Sequence, residues 1–525
     1  MVFSIYKILI PNKLKKSLIF FNLVNLSWLI FRTGTKPSRI TYPCQQAALS
    51  NLSFSLSAFI PLSITTSFFT AIKSIFSKKI LIILIILISG GITSVGYLKN
   101  TSPEPYQEIQ LTYESKNATI SPSSDIFVMN GRSAAHIDEL INLMSTHNLL
   151  FYQSNDVGEN KGPEGLIAID DIVLLKFNSQ WAERGGTNTD ILRELIQAII
   201  DHPDGFIGEI VVADNGQGRG SMNYPSSNAE NYSQSTQDVI NMFSSIYQVS
   251  SYNWQNIRNK LVNEYSEGDM NDGYIVYDTA DPETGIYVSY PKFKTGLDTY
   301  ISFKHGLWNG TGYEKRVKVI NLPVLKSHLI YGVTASLKNY MGVQSEGLAN
   351  GHSTVATGGM GTLMAECGLP TLNIVDAIWV NANPYPSGST GPATSYYEAT
   401  RVNILIAGID PIALDYWAAK HVLLSTASSI GYHDLASFNP DNTERNGLRE
   451  AFGVWLNLTK NELISENYNV TTNETRMNIY VYQNHAPISS YSKSSTTPAA
   501  GFWIICITLS LAGVFLVLRK RRKMY

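Results

Sequence analysis

Between residues 125 and 455, short apolar β-branched runs alternate with stretches of helical periodicity, and this alternation constrains the fold more than anything else in the chain. The strand candidates are 126–129 (IFVM), 172–177 (IVLLKF), 207–213 (IGEIVVA), 274–278 (YIVYD), 317–322 (VKVINL), 372–376 (LNIVD) and 402–407 (VNILIA). Helices are expected over 134–145, 189–201, 236–247, 331–340, 354–366 and 412–424. In the second of these, Ile191, Leu192, Leu195, Ile196 and Ile199 fall on one face. Strands that are apolar almost throughout, rather than at alternate positions, are buried on both faces. The expected fold class is α/β, a mostly parallel sheet covered by helices on both faces, plus terminal transmembrane helices.

Charge separates the ends from the middle. The 525 residues sum to a net charge of −2, yet residues 1–100 hold 11 Lys/Arg and no Asp or Glu, and residues 519–525 hold five more cations. Residues 101–518 keep 24 cations against 42 acids, a net of −18. An acidic body has the wrong sign for a nucleic-acid partner. Basic flanks around it suit a membrane protein with its bulk on one side. Residues 499–518 are 20 uncharged residues followed at once by RKRRK, about 30 Å of apolar helix and a stop. Residues 79–98 read as a signal peptide or a second anchor. Both flanks place the tail in the cytoplasm and the main domain outside the cell membrane. The expected organisation is a basic/apolar segment of uncertain status (1–78), the signal or transmembrane segment (79–98), a linker (99–124), the α/β domain (125–455), a stalk (456–498), the transmembrane helix (499–518) and a basic cytoplasmic tail (519–525).

In open α/β sheets the ligand crevice lies outside the carboxyl ends of the strands. The polar residues that end the apolar runs are therefore the candidates. Lys176 and Asn178 follow IVLL, Lys326 and His328 follow PVL, Asp376 follows LNIV, Asp410 follows ILIAGI, and IVVA ends at Asp214. Lys326 and His328, two apart on an extended strand, share a face. Thr334 and Lys338, four apart on the expected helix, share another, with Asn339 next. The set reads as a clamp for a small anion, carboxylate or phosphate. Lys326, His328 and Lys338 take the catalytic roles if that ligand is transformed, and Lys176, Asn178, Asn339, Asp376, Asp410 and Asp415 the ligand-binding ones. Asp410 before Pro411 reads equally as a helix N-cap, and Asp415 as the ion-pair partner of Lys326 or Lys338. Whether the chain is an enzyme or a non-catalytic binding or interaction protein stays open. A divalent metal held by His328, His352, Asp376 and Asp410 is an alternative to the anion, but no spacing is diagnostic and no metal ligand is assigned. Gly216, Gly218 and Gly220 miss the dinucleotide fingerprint by one position. Cysteines occur at 44, 367 and 506, too few for an iron–sulfur cluster ligated by this chain.

The series LLKFN (174–178), NLPVLKSH (321–328), SLKNYMG (336–342), NIVDAI (373–378), GP (391–392) and GIDPIALD (408–415) resembles the domain-of-unknown-function family 362 in order and approximate spacing over roughly 125–425. Phe177 stands where the family usually has Pro, and Val324 where it usually has Lys. The resemblance implies that Lys176, Asn178, Lys326, His328, Lys338 and Asn339 are motif positions. Some members carry ferredoxin-like iron–sulfur modules. Since this chain lacks the cysteines, a redox role would require a separate partner.

Overall fold

The computed structural model of the protein describes residues 108–130, 136–224, 229, 233–314, 316–384, 398–444 and 451–483. All belong to one compact unit, 103–525. Its spine is a ten-stranded sheet in which eight strands follow the order β17 (Met477–Gln483), β1 (Ser124–Asn130), β16 (Thr400–Gly408), β15 (Leu372–Asn381), β12 (Val317–Asn321), β4 (Ile172–Lys176), β5 (Glu209–Asp214) and β6 (Val249–Asn253). Only the pairs that include β16 are antiparallel, so β16 runs against the other seven. β13 (Val324–His328) continues the line of β12 along β15, and β14 (Gly332–Thr334) folds back antiparallel onto β13. A separate antiparallel meander comprises β7 (Gly273–Val276), β8 (Ser289–Lys294), β9 (Tyr300–Ser302), β10 (Gly306–Trp308) and β11 (Tyr313–Glu314). β2 (Tyr152–Gln153) and β3 (Lys161–Gly162) form a short parallel pair.

Alternate residues of the central strands enter two cores. Val173, Leu175, Ile210 and Val212 pack with α1 (Ile137–Thr146), α2 (Thr189–Ile200) and α3 (Thr236–Phe243). Leu174, Val211 and Ala213 belong to the core that takes in α5 (Gly359–Cys367), α6 (Pro411–Trp417) and α7 (Phe452–Ser465). This double burial is why IVLLK carries no polar residue before its lysine. α2 starts where the Asn188 side chain accepts from the Asp190 N–H, which satisfies one orphan donor of the first turn.

Several expectations change. Residues 274–278 contribute to the meander and not to the central sheet. The single helix expected over 331–340 is β14 followed by the one-turn helix α4 (Ser336–Asn339), because Gly332 at φ +74° reverses the chain against β13. The helix after Pro411 widens into a π-helix at Ala418–Leu423. The expected linker and stalk both contain folded structure. Ile109, Leu111 and Tyr113 pack on the core, and Lys116 bridges Ile479. Helix α7 buries Trp455, Leu456 and Leu463, and β17 pairs with β1 over seven residues. The Ser- and Asn-rich flanks hide these apolar positions, so the folded body runs past 125–455 at both ends. Among the described residues no helix is long and apolar enough to cross a membrane. The expected spans at 79–98 and 499–518 lie outside the described residues.

Candidate functional site

β12, β4 and β5 end side by side, with Asn321 opposite Lys176 and Lys176 opposite Ala213. Just past these ends the Lys176 ammonium, fully buried, meets Asp214 at 2.8 Å and donates to the Phe177 carbonyl at 2.7 Å. Asp214 turns its other oxygen to the Ser179 N–H (2.9 Å) and hydroxyl (2.8 Å). Burial lowers the pKa of Lys176, and the Asp214 charge and hydrogen bond oppose that. Gly342 closes over this pair. A Cβ there would lie 2.0 Å from Asp214 Oδ1 and 2.6 Å from Lys176 Nζ, so no side chain fits without breaking the pair.

A row of asparagines runs sideways from this point. Asn178 donates to Asn339 (3.0 Å), Asn339 to Asn321 (2.8 Å), and Asn321 to Asn373 (2.9 Å) and the Ser336 carbonyl (3.0 Å). Asn373 ends the row on the Gly408 and Ile409 carbonyls, both at 3.3 Å. Each amide is buried and partnered, so the row locks β4, α4, β12, β15 and the end of β16 in register.

Above the row stand the cations. Lys338 on α4 is 4 % exposed and Lys326 on β13 is 2 % exposed. Lys326 donates to the Gly185 carbonyl. Burial, and then the nearby Lys338 charge, bring Lys326 down to about 7, with Asp214 opposing; burial brings Lys338 down to about 8. The contact found for the Lys338 ammonium is the Tyr331 ring, 5.6 Å away, and no carboxylate of the described residues lies within ion-pair distance. His328 accepts at Nδ1 from the Ile330 and Tyr331 N–H groups (3.1 and 3.2 Å), which places its proton on Nε2. Burial, then the Lys338, His352 and Lys326 charges, hold it well below the usual histidine range. The His352 ring is 6.1 Å from that of His328. Its imidazole is pushed down to about 4 by burial, Lys338 and Arg219.

A narrow cleft opens here, lined by Asn178, Gln180, Asp214, Gln217, Thr334 and Lys338 among others. Its free volume is about 10 Å³, room for about one water. Gln180 donates to Gln217 across the lining at 3.0 Å. Gln217 sits at φ +47° between two positive-φ glycines.

The structure thus brings Lys176, Asn178, Lys326, His328, Lys338 and Asn339 to one end of the sheet. The three expected aspartates serve elsewhere. Asp376 accepts from the Asn188 and Ile378 N–H groups (2.9 and 3.1 Å). Asp410 caps α6 through the Ile412 and Ala413 N–H groups and also accepts from Ser124 and the Thr471 N–H. Asp415 does not pair with a lysine but holds the Ser336 and Leu337 N–H groups (2.7 and 2.9 Å), the donors that a one-turn helix cannot satisfy itself. Among the described residues, no three His, Cys, Asp or Glu side chains converge to hold a metal. Asp214, a strand-end candidate, enters the site as the partner of Lys176, and Asn321, Asn373 and Gln217 join it from outside the expected set. Asn321 and Asn373 did carry a signal, as amides inside otherwise apolar strands.

Residues 312–420 match the family model described as domain of unknown function (DUF362), a span that holds Lys326 and Lys338 but begins after Lys176 and Asp214. No curated protein and no solved structure matches the chain.

Proposed function

We propose, from the match of residues 312–420 to the DUF362 family model and from the site geometry, that the chain is a membrane-tethered extracytoplasmic domain that binds a small anion at the Lys338 cleft. One observation carries the reading: Lys338 is buried in the lining of a polar cleft, and no carboxylate of the described residues lies within ion-pair distance. A buried ammonium without a partner costs several kcal/mol, and a carboxylate or phosphate in the cleft removes that cost. Lys326 adds a second cation and the asparagine row a rigid floor. Chemistry on the ligand would use Lys326, His328 and Lys338. The narrow, one-water cleft favours a second reading, capture without turnover.

The test is thermal melting of the detergent-solubilised full chain against inorganic phosphate, acetate and citrate. A ligand at a hundredfold excess over its Kd adds about 2.7 kcal/mol, so the transition moves up in the natural protein and stays put in Lys338→Met. No shift with any anion in the natural protein overturns the proposal. The tether is tested separately: protease added outside intact cells should remove residues 108–483, and a protected domain refutes the orientation.

A further inference from the structure

We infer that the Lys338 cleft is a halide site, in which one chloride ion takes the place of the single water the cleft admits. The inference rests on the anion reading above and narrows its ligand from small anions in general to a monatomic one.

Size is the first support. The free volume of about 10 Å³ accepts one water-sized sphere, and a halide ion is a sphere little larger than water. A carboxylate or phosphate carries several heavy atoms, and admitting one would part the Gln180–Gln217 bond that crosses the lining. A halide enters with that bond intact.

The lining supplies what such an ion needs. Lys338, 4 % exposed, brings an ammonium with no carboxylate of the described residues within ion-pair distance. Thr334, 5 % exposed, brings a hydroxyl with no hydrogen-bond partner among the described residues. Asn178 gives one hydrogen of its amide nitrogen to Asn339 and has a second to give. Three donors thus line a space that holds one acceptor. Asp214 also lines it, but Lys176 holds one of its oxygens and Ser179 the other. A water in this place would satisfy the Thr334 hydroxyl and leave the buried ammonium charge uncompensated.

Lys326 has a separate part. It does not line the cleft and donates to the Gly185 carbonyl. Burial and the Lys338 charge bring it to about 7, against about 8 for Lys338. Near neutral pH Lys338 is therefore the one of the two that keeps its proton and presents a charge, and an anion beside it relieves the repulsion between them.

The experiment follows the chloride NMR line of the full chain, solubilised in a neutral detergent, as chloride replaces gluconate at constant ionic strength. An ion held on a large particle relaxes fast, so the expected result is an excess line width that saturates. Bromide should abolish it in the natural protein, and the same amount of gluconate should not. The excess should vanish in Lys338→Met, and affinity should fall at least about tenfold in Thr334→Val, the loss of one hydrogen bond to a charged group. Whichever of the two variants folds places the ion. No saturable excess width, or one that a folded variant leaves unchanged, overturns the inference. If phosphate still raises the melting temperature in that case, the anion site stands and only the halide falls; if it does not, both fall.

Discussion

Replacing Lys176 by Met should be among the most damaging single changes near the cleft. Methionine fills the channel of the lysine stem, so the loss isolates the charge. What remains is Asp214, 3 % exposed at its side chain, with its Ser179 bonds intact but its counter-ion gone. Removing one partner of a buried pair costs about 3–5 kcal/mol, chiefly through the charge left behind. Asp214→Asn in the same chain removes that charge while keeping a side-chain oxygen for Ser179. The double variant should therefore recover about 2 kcal/mol of the loss, a coupling well above the roughly 0.5 kcal/mol seen for independent sites. Urea unfolding of the solubilised chain, followed by tryptophan fluorescence, reads all four corners of the cycle, since Trp254 and Trp379 are buried in the two cores. A cost under about 1 kcal/mol for Lys176→Met, or strict additivity in the double variant, would refute the argument that this pair is a desolvated unit.

Three further outcomes follow from the same geometry. Gly342→Ala should destabilise by about 1–3 kcal/mol, because its methyl meets Asp214 Oδ1; if it melts like the natural protein, the close approach is wrong. Asp415→Ala should orphan the Ser336 and Leu337 N–H groups at a cost of about 1–3 kcal/mol. Denaturation and anion binding measured together should both weaken, since Lys338 rides on α4. The pH dependence has a fixed sign. Lys326 and Lys338 sit at about 7 and about 8 when folded, below the unfolded value of roughly 10.4. The unfolded chain therefore holds more protons between about pH 7 and pH 10, and stability rises with pH through that window and is lost on the way down. Lys326→Met and Lys338→Met should each flatten the urea-midpoint profile there, and a flat profile in the natural protein contradicts the assignment.

What the sequence disclosed, and what it hid, divides along physical lines. β4, β5, β12, β15 and β16 were legible because a strand buried on both faces leaves an unbroken apolar run. The lysines and amides that end or follow those runs were legible as a set for the same reason. Asp376, Asp410 and Asp415 share the strand-end and helix-start pattern with them. A carboxylate turned toward backbone N–H groups has the same sequence signature as one turned toward a ligand, so only coordinates separate the two. β6 (VSSYN) and β8 (SYPKFK) mix polar and apolar residues without a run, and α7 carries its buried Trp455 within an Asn- and Thr-rich stretch. In each, burial is set by distant partners and not by local composition. The glutamine contact across the cleft depends on the left-handed backbone at Gln217, which no side-chain pattern announces.

The place of β17 against β1 has a consequence for how the protein is made. Neither neighbour of β1 exists when β1 leaves the ribosome: β16 arrives late, and β17 is the last strand described. Until residues 477–483 emerge, the outer edge of Ile126, Phe127 and Val128 stays bare, a template for the strand of another chain. Pairing across so long a stretch is also slow. A message cut short or a ribosome stalled before residue 477 should therefore yield a sticky product rather than a partly working one. The cell would meet such fragments as aggregates, and holding the nascent chain apart until its last strand arrives becomes a requirement of its biogenesis.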